Sequence, residues 1–390
     1  MAGNLAAGAP VTAPSSGPRD AAAAISGEHG PAPITLGQVT AVELGIPVVR
    51  ATPDASARPA SPLLVDRFGR AATDLRVSLT DRCNLRCTYC MPAEGLDWLP
   101  KPDLLTDDEL VRLIGIAVTR LGVTDVRFTG GEPLLRPNLD DVVAATAAMA
   151  PRPRISMTTN GLTLAKRAAG LVAAGLDRVN VSLDTLDPAR FTRLTRRDRL
   201  DDVFAGLAAA RRAGLAPVKV NSVLMRGVNE DEAVPLLRFC LEHGYHLRFI
   251  EQMPLDPQHG WDRDGMVTAE EVLTALRAEF SLAPAPGERG GAPAERWLVD
   301  GGPAAVGVIA SVTRPFCAAC DRTRLTADGQ VRNCLFSQSE TDLRALLRGG
   351  APDEEVADLW RANSWAKAAG HGINSAGFSQ PDRPMSAIGG

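Results

Sequence analysis

Seven cysteines carry most of the chemical information in this 390-residue chain, because six of them form two groups of three. The first group, spaced CxxxCxxC, is Cys83, Cys87 and Cys90. The second, a CxxC pair and a third cysteine after thirteen residues, is Cys317, Cys320 and Cys334. Structural zinc prefers four protein ligands, and no histidine stands near either group at zinc-finger spacing. An iron–sulfur cluster held by three thiolates leaves one iron open, so both groups favour such a cluster.

The seventh cysteine and the total count argue against disulfides. Cys240 lies in a helical stretch with Leu236, Leu237 and Leu241, which predicts a small buried apolar side chain. An odd number of cysteines, in a chain whose start lacks a secretion-signal pattern, is not typical of a secreted disulfide framework.

Composition excludes several classes of function. The 42 basic and 46 acidic residues give a formal net charge of −4, whereas a general polyanion binder shows a basic excess. Aromatic residues make up only 4 %, which leaves little for base stacking. No apolar run approaches the roughly 20 residues of a membrane span. We therefore expect a soluble, cytoplasmic protein with neither a nucleic-acid nor a membrane partner.

Strand and helix patterns alternate from about residue 74. The β-rich runs lie at 75–80, 125–130, 154–159, 178–183, 218–224 and 246–252. Such alternation predicts a parallel sheet, and its repetition predicts a barrel. A closed eight-unit barrel uses about 31 residues per unit, so six units need roughly 190. The 179 residues from Leu75 to Met253 therefore favour a six-unit partial barrel.

The chain is predicted to have three parts. Residues 1–60 are rich in Ala, Gly and Pro and predict a flexible extension, with a strand candidate at 36–50. The barrel occupies 66–283, and a C-terminal α+β region occupies 284–390. That last region should contain, in order, a loop-rich segment at 284–303, a strand at 306–312, a hairpin at 322–334 turning at Asp328-Gly329, and helices at 340–348 and 352–363.

Basic residues inside the strand runs indicate an anion site. They are Arg76, Arg127, Lys219 and Arg248. Unpaired burial of a charge costs several kcal/mol, so these side chains should converge on the barrel lumen and bind an anion there. Arg322 and Arg324 follow Cys320 and share one face of a strand, which favours an anionic substrate that also reaches the open iron. Without a GxxxxGK[ST] loop, any nucleotide is held by side chains.

The first cysteine loop, placed after the first strand run, resembles that of the radical S-adenosylmethionine (SAM) superfamily. The resemblance implies that Cys83, Cys87 and Cys90 hold a [4Fe–4S] cluster whose open iron binds SAM and cleaves it to a 5′-deoxyadenosyl radical. It also implies further SAM contacts at strand ends, where barrel sites assemble. These are the backbone of Tyr89, Gly131 in TGGEP, Ser182 in NVSLD, and Met253.

From about Asp66 to the C-terminus the chain is similar to the GTP 3′,8-cyclase family. The most specific motifs are LRVSLTDRCNLRCTYCMP, RFTGGEPLLR, RFIEQMP and FCAACDRTRLTADG. This resemblance implies an α/β fold, a partial (β/α)6 TIM-type barrel of the radical SAM type with a C-terminal α+β extension. It implies that Cys317, Cys320 and Cys334 hold an auxiliary [4Fe–4S] cluster. GTP contacts are implied for Arg76, Arg127, Thr158, Lys219, Arg248, Arg322, Thr323 and Arg324. The resemblance also implies that Gly389 and Gly390 belong to a tail that enters the active-site pocket.

The implied activity is that of a lyase in molybdenum-cofactor biosynthesis. The radical removes the ribose 3′ hydrogen of GTP, C3′ attacks guanine C8, and reduction gives (8S)-3′,8-cyclo-7,8-dihydroguanosine 5′-triphosphate. The implied partners are a reductant of unknown identity, the downstream cyclic pyranopterin monophosphate synthase and, in a homodimer, a second copy of the chain. One position departs from the family pattern: Asp125 stands where some relatives carry a Lys, so no phosphate contact is expected there.

Two other functions remain open at this point. A radical SAM enzyme that modifies peptides or other small molecules would share the first cluster and an auxiliary one, although such enzymes tend to carry longer downstream cysteine sets. A non-catalytic zinc or nucleic-acid module would also use cysteines. The response of SAM cleavage to GTP distinguishes the cyclase from a radical SAM enzyme with another substrate. An iron count distinguishes the cyclase from a zinc or nucleic-acid module.

Overall fold

The structure is a computed structural model that describes residues 49–50 and 54–389. Most of the predicted 1–60 extension, and all but the last two residues of the 36–50 strand candidate, lie outside the described residues. Val49 and Arg50 form a short strand that pairs with Ser339 and Glu340.

The strands of the described residues belong to one sheet of thirteen. They are Val49–Arg50 (β1), Asp74–Ser78 (β2), Asp125–Thr129 (β3), Arg154–Thr159 (β4), Arg178–Ser182 (β5), Val218–Val223 (β6), His246–Ile250 (β7), Leu282–Pro284 (β8), Glu295–Val299 (β9), Ala305–Ile309 (β10), Arg322–Leu325 (β11), Gln330–Arg332 (β12) and Ser339–Asp342 (β13). Their order across the sheet is β1-β13-β12-β11-β2-β3-β4-β5-β6-β7-β10-β9-β8.

The centre of the sheet is the predicted set of six parallel strands. Strands β2 to β7 are sequential neighbours and all pair in parallel, which confirms the six β-rich runs. Two later strands extend this set in parallel, β11 beside β2 and β10 beside β7. Within the described residues β10 and β11 do not pair with each other, so the barrel is open, as predicted.

Helices follow most of the central strands. They are Asp107–Arg120 (α1), Leu139–Ala147 (α2), Leu164–Ala174 (α3), Pro188–Thr195 (α4), Leu200–Arg212 (α5), Ala233–His243 (α6), Ala269–Arg277 (α7), Leu343–Arg348 (α8), Asp353–Trp365 (α9) and Met385–Ile388 (α10). The first begins at a capping box: the Thr106 side chain accepts from Glu109 N, and the Glu109 side chain accepts from Thr106 N. In the described part of the chain, no helix combines the length and apolarity needed to cross a membrane.

The C-terminal region contains one strand that its sequence does not indicate. Within the segment 284–303, predicted to be loop-rich, Glu295–Val299 forms β9 and pairs antiparallel with β10. Two of its five residues are charged, which hides the strand pattern. The hairpin is confirmed as β11 and β12, and Gly329 at its turn has φ +78°. The predicted helix 340–348 begins later, because Ser339–Asp342 is strand β13 and Asp342 caps α8.

Strand alternation separates an apolar face from a polar lumen. In β2, Leu75 and Val77 are fully buried in the core, and Asp74, Arg76 and Ser78 therefore point to the opposite face. The same parity in β3 to β7 directs mostly polar side chains inward. Strands of the 66–283 and 284–390 segments share this one sheet, and the division into those domains stays a prediction.

Candidate active site

The carboxyl ends of the central strands surround the main cavity. Its lining includes every residue for which the resemblance implied a SAM or first-cluster role: Cys83, Cys87, Tyr89, Cys90, Gly131, Ser182 and Met253. Thr158, implied in GTP binding, also lines it. Residues scattered over 170 positions of sequence thus meet at one end of the sheet, as the parallel topology requires. Their individual roles stay predictions.

The CxxxCxxC loop is held by the C-terminal end of α4. Thr88 N donates to Leu194 O at 2.9 Å, and Arg86 N donates to Thr195 O at 3.0 Å. Arg196, in the left-handed region at φ 56°, donates from Nη1 to Arg86 O at 2.8 Å and to Met91 O at 3.2 Å. Sequence reasoning missed Arg196, because nothing in the sequence near 196 points to a loop more than a hundred residues away.

The thiols of this loop need a cation to stay ionised. Burial raises the pKa of Cys83 to about 11 and that of Cys90 to about 12. Burial also raises the pKa of Cys87 well above its usual value, and negative charge on Cys90 would raise it further. Three neighbouring, partly buried thiols fit an iron cluster, because coordination deprotonates a thiol outright. Among the described residues, no three Cys, His, Asp or Glu side chains converge tightly enough for one metal ion, but a four-iron cluster is larger.

The glycine pair after β3 packs against the backbone that leads into the cysteine loop. A Cβ on Gly131 would lie 2.2 Å from Arg82 O and 2.6 Å from Asp81 O. A Cβ on Gly130, which has φ +135°, would lie 2.3 Å from Thr80 O. Gly131 N donates to Thr80 O at 2.8 Å. The two glycines therefore set the position of residues 80–82, directly before Cys83.

We expect Gly131→Ala to displace the cysteine loop. The backbone of Arg82 has to move to admit the methyl group, which should cost about 1–3 kcal/mol of folding stability and weaken SAM binding at least about tenfold. Iron content and equilibrium SAM binding measure the effect. Gly115→Ala is the control, because a Cβ there meets nothing closer than Met149 Cε at 3.8 Å. Equal SAM affinity in both variants would contradict the expectation.

Two buried carboxylates support the site, and sequence reasoning gave a role to neither. Glu132 accepts hydrogen bonds from Thr159 Oγ1 and Asn160 N, both at 2.7 Å, and burial raises its pKa to about 7. Asp184 accepts from Tyr89 Oη at 2.7 Å and from Val223 N at 2.9 Å. Burial raises the pKa of Asp184 to about 6. These contacts tie the GGEP and cysteine loops to the ends of β4 and β6.

The second cysteine group is assembled by the β11–β12 hairpin. Cys317–Ala319 forms a single 3-10 turn before β11, and Cys334 follows β12. Burial raises the pKa of Cys317, and negative charge on Cys334 or Cys320 would raise it further, so the three thiols are neighbours. These three thiols therefore also fit an iron cluster.

Cys320 differs from the other clustered thiols in its surroundings. Burial opposes ionisation there, but Arg322 and Lys367 outweigh it and lower the pKa of Cys320. Lys367 Nζ lies 3.2 Å from Cys320 Sγ. Sequence reasoning missed Lys367, because it lies 47 residues from Cys320.

The lumen arginines form one row across three strands. Arg324 is in register with Arg76, and Arg76 with Arg127. Asp74 is their shared counter-ion: its carboxylate lies 3.3 Å from Arg76 Nε and 3.7 Å from Arg127 Nη2. Burial opposes ionisation of Asp74, but Arg76, Arg127, Arg322 and Arg324 outweigh it and lower its pKa to about 2. Asp321 lies 3.4 Å from Arg322 Nε and is a second counter-ion for that residue. Two carboxylates among four guanidiniums leave a net positive lumen.

Two more bases face this lumen from β6 and β7. Burial, followed by repulsion from Arg248, lowers the pKa of Lys219 to about 7. Burial and the charge of Arg178 lower the pKa of Arg248 to about 10. Such depressed values are typical of crowded cations that lack an anion.

Two positions singled out in the sequence, Thr323 and Asp125, have side chains that bind other residues of the protein. Thr323 alternates with Arg322 and Arg324, so its side chain lies on the other face of β11 and accepts a hydrogen bond from Trp360 Nε1 at 3.0 Å. Its hydroxyl is therefore not directed at the lumen. Asp125 pairs with Arg154 at 2.6 Å, which agrees with the expectation that no phosphate contact should be assumed there.

The C-terminal tail reaches the row of arginines. Met385 and Ser386 of α10 line the main cavity. Arg324 Nη1 donates to the carbonyl of Gly389. The tail therefore connects the arginine row with the cavity that contains the first cysteine group. Gly390 lies outside the described residues.

Comparison with known proteins agrees with this geometry. Residues 77–240 match the Radical SAM superfamily, and residues 245–373 match the family described as Molybdenum Cofactor Synthesis C. A GTP 3′,8-cyclase from Streptomyces coelicolor is 69 % identical over 336 residues, 86 % of this chain and 98 % of that protein. One from Mycobacterium sp. (strain KMS) is 66 % identical over 352 residues, 90 % of this chain and 100 % of that protein.

The solved structure of Streptococcus suis SuiB bound to S-adenosylmethionine is more distant, at 14 % identity and a TM-score of 0.48, covering 75 % of this chain and 68 % of that one. The sequence relatives, in contrast, match at high identity across nearly their whole length. With both cysteine groups and the row of arginines in place, the chain belongs to the GTP 3′,8-cyclase family of the radical SAM superfamily.

Proposed function

We propose that this chain is a radical SAM lyase that converts GTP to (8S)-3′,8-cyclo-7,8-dihydroguanosine 5′-triphosphate in molybdenum-cofactor biosynthesis. The single observation that carries the proposal is the tail contact between Arg324 and Gly389. It links the arginine row beside the second cysteine group to the cavity with the first, so that a substrate in the lumen can reach both. Family membership supports the identity of the substrate.

The first cysteine group, Cys83, Cys87 and Cys90, would hold the [4Fe–4S] cluster and SAM. When bound, these groups supply the electron and the radical that removes the ribose 3′ hydrogen. The protein contributes orientation and exclusion of competing reactions. Gly131, Ser182, Met253 and the backbone of Tyr89 line the cavity where SAM would lie, and Asp184 holds the Tyr89 side chain in place.

The row of arginines would hold the triphosphate. Four guanidiniums, those of Arg76, Arg127, Arg322 and Arg324, face only two carboxylates, those of Asp74 and Asp321, so an anionic ligand would balance the excess positive charge. Lys219 and Arg248 extend the positive region on the other side of the lumen, and Thr158 lies at the cavity wall. Cys317, Cys320 and Cys334 would hold the auxiliary cluster, whose open iron is suited to a guanine nitrogen or oxygen.

The depressed pKa of Lys219 predicts proton uptake on GTP binding. In the free protein its pKa is about 7, so the ammonium is present below that pH and is lost above it. A bound triphosphate favours the ammonium and raises the pKa, so affinity should fall as pH rises above about 7, by at most about tenfold per pH unit. Calorimetry at about pH 8, in two buffers of different ionisation enthalpy, measures the uptake.

Lys219→Met should abolish this proton uptake and flatten the pH dependence of GTP affinity. Lys166→Met is the matched control, because Lys166 is exposed on α3, away from the lumen. If the Lys219→Met protein takes up as many protons on GTP binding as the unchanged protein, a group other than Lys219 titrates.

The proposed function also includes partners and location. A reductant has to supply the electrons, and the product is a substrate for the downstream cyclic pyranopterin monophosphate synthase; membership of the cyclase family supports that place in the pathway. Activity in the cytoplasm and a homodimer stay predictions.

Anaerobic reconstitution tests the function. With SAM, dithionite and GTP, the protein should form 5′-deoxyadenosine faster than without GTP and should release a cyclised nucleotide. Two intact four-iron clusters predict about eight irons per chain. If GTP does not stimulate SAM cleavage but a peptide or another small molecule does, the radical chemistry stands and the substrate is wrong. Zinc without iron would exclude both the radical chemistry and the cyclase activity.

A further inference from the structure

Lys367 is a buried ammonium whose contacts all lie at the second cysteine group. It follows helix α9, and only 5 % of the residue is exposed. Its Nζ lies 3.2 Å from Cys320 Sγ, 3.3 Å from Cys320 O and 2.9 Å from Arg322 O. A lysine has three N–H donors, so these three acceptors satisfy it completely and fix its position.

The charge of Lys367 has no carboxylate partner in the described part of the chain. Its three acceptors are two neutral carbonyls and one sulfur. Burying an ammonium without an anion costs several kcal/mol, so a partner with negative charge is expected at one of the three. The sulfur of Cys320 is the only one that can carry it, as a thiolate.

We propose that Lys367 donates a charge-assisted hydrogen bond to the Cys320 thiolate and so raises the reduction potential of the auxiliary cluster. The inference rests on the proposed function, because it requires that cluster. One-electron reduction adds negative charge to the iron and its thiolates, and a fixed ammonium beside them stabilises the reduced form. Hydrogen bonds to sulfur and net charge are established determinants of cluster potential.

The effect should be confined to the auxiliary cluster. In the first cysteine group, the hydrogen bonds to sulfur are made to Cys83 by Leu85 N at 3.5 Å and by Asn160 Nδ2 at 3.8 Å. Both donors are neutral and both contacts are long. No ammonium or guanidinium of the described residues donates to a sulfur of that group. The cluster that binds SAM is therefore an internal reference within the same molecule.

The experiment is a redox titration of the reconstituted full-length protein, followed by electron paramagnetic resonance. SAM changes the signal of the first cluster and so distinguishes it from the auxiliary one. Lys367→Met and Lys367→Gln remove the charge, and Gln keeps a neutral N–H donor. Both should shift the auxiliary midpoint to lower potential and leave the first cluster unchanged. Lys367→Arg keeps the charge and should retain most of the unchanged protein's potential.

Several results would overturn the inference. An auxiliary potential unchanged in Lys367→Gln, with about eight irons present, would overturn the role of Lys367 alone. Equal shifts in the Arg and Gln variants would show that packing, rather than charge, matters. Loss of the auxiliary iron in the Arg variant would also show that packing, rather than charge, matters at this position. About four irons in the unchanged protein would instead overturn the auxiliary cluster, and with it the proposed function.

Discussion

Cys87→Ala should abolish 5′-deoxyadenosine formation and cyclised-nucleotide formation together, and lower the iron content from about eight to about four per chain. The physical reason is the position of the thiol. Cys87 lines the main cavity together with Cys83 and Cys90, and under the proposed function each of the three thiols would be a ligand of the first cluster. The remaining iron should be that of the auxiliary cluster.

Cys240→Ala is the matched control. That thiol is fully buried on α6 within the apolar core and lines no part of the site. Its removal leaves a small cavity that should cost about 1 kcal/mol of stability and nothing in iron content or activity. Iron and sulfide analysis after anaerobic reconstitution, with quantification of 5′-deoxyadenosine, gives both readouts. A Cys87→Ala protein that keeps about eight irons would refute the assignment of the first group.

The sequence is informative wherever chemistry and position are local. The CxxxCxxC spacing is enough to predict the cysteine loop. The alternation of β-rich runs with helical segments predicts the strands β2 to β7. Because parallel strands place their carboxyl ends on one side, the loops after them have to meet. This topology alone predicts that Gly131, Ser182 and Met253 share one cavity with Cys83, and all four line the main cavity.

What the sequence does not reveal depends on contacts between distant segments. Asp74 looks like one acid among many, and its role as counter-ion follows only from the register of β2 with β3 and β11. Lys367 meets Cys320 because α9 packs against the hairpin. Arg196 reaches the cysteine loop from the end of α4. No periodicity or spacing reports such pairings, since each depends on how elements are stacked rather than on how they begin and end.

Alternation along a strand also bears on a prediction made from a motif. The motif groups the consecutive residues Arg322, Thr323 and Arg324 as GTP contacts, yet a strand sends the middle residue to the opposite face. The hydrogen bond from Trp360 to the Thr323 hydroxyl agrees with that geometry. Thr323 therefore anchors β11 to α9, and the two arginines depend on that anchor for their position.

Gly389→Ala should lower GTP turnover about 100-fold, because displacement of a positioning group by about 1 Å costs that much. Gly389 has φ +74°, and a Cβ there would lie 2.8 Å from both Ser78 Oγ and Thr129 Cγ2. The tail must then withdraw from the ends of β2 and β3. Arg324 loses the carbonyl that it contacts, while both cysteine groups keep their surroundings, so iron content and SAM cleavage without GTP should not change.

Gly377→Ala separates steric displacement from backbone strain. Gly377 has a similar φ of +80°, but a Cβ there would meet nothing within 4 Å. Both variants carry a left-handed alanine, at about 1–2 kcal/mol of local strain, and only Gly389→Ala adds the clash. Steady-state turnover of GTP, measured beside iron content, should therefore fall in the first variant and stay near that of the unchanged protein in the second. Equal turnover in the two would mean that the tail does not need to occupy the space between Ser78 and Arg324 during the reaction.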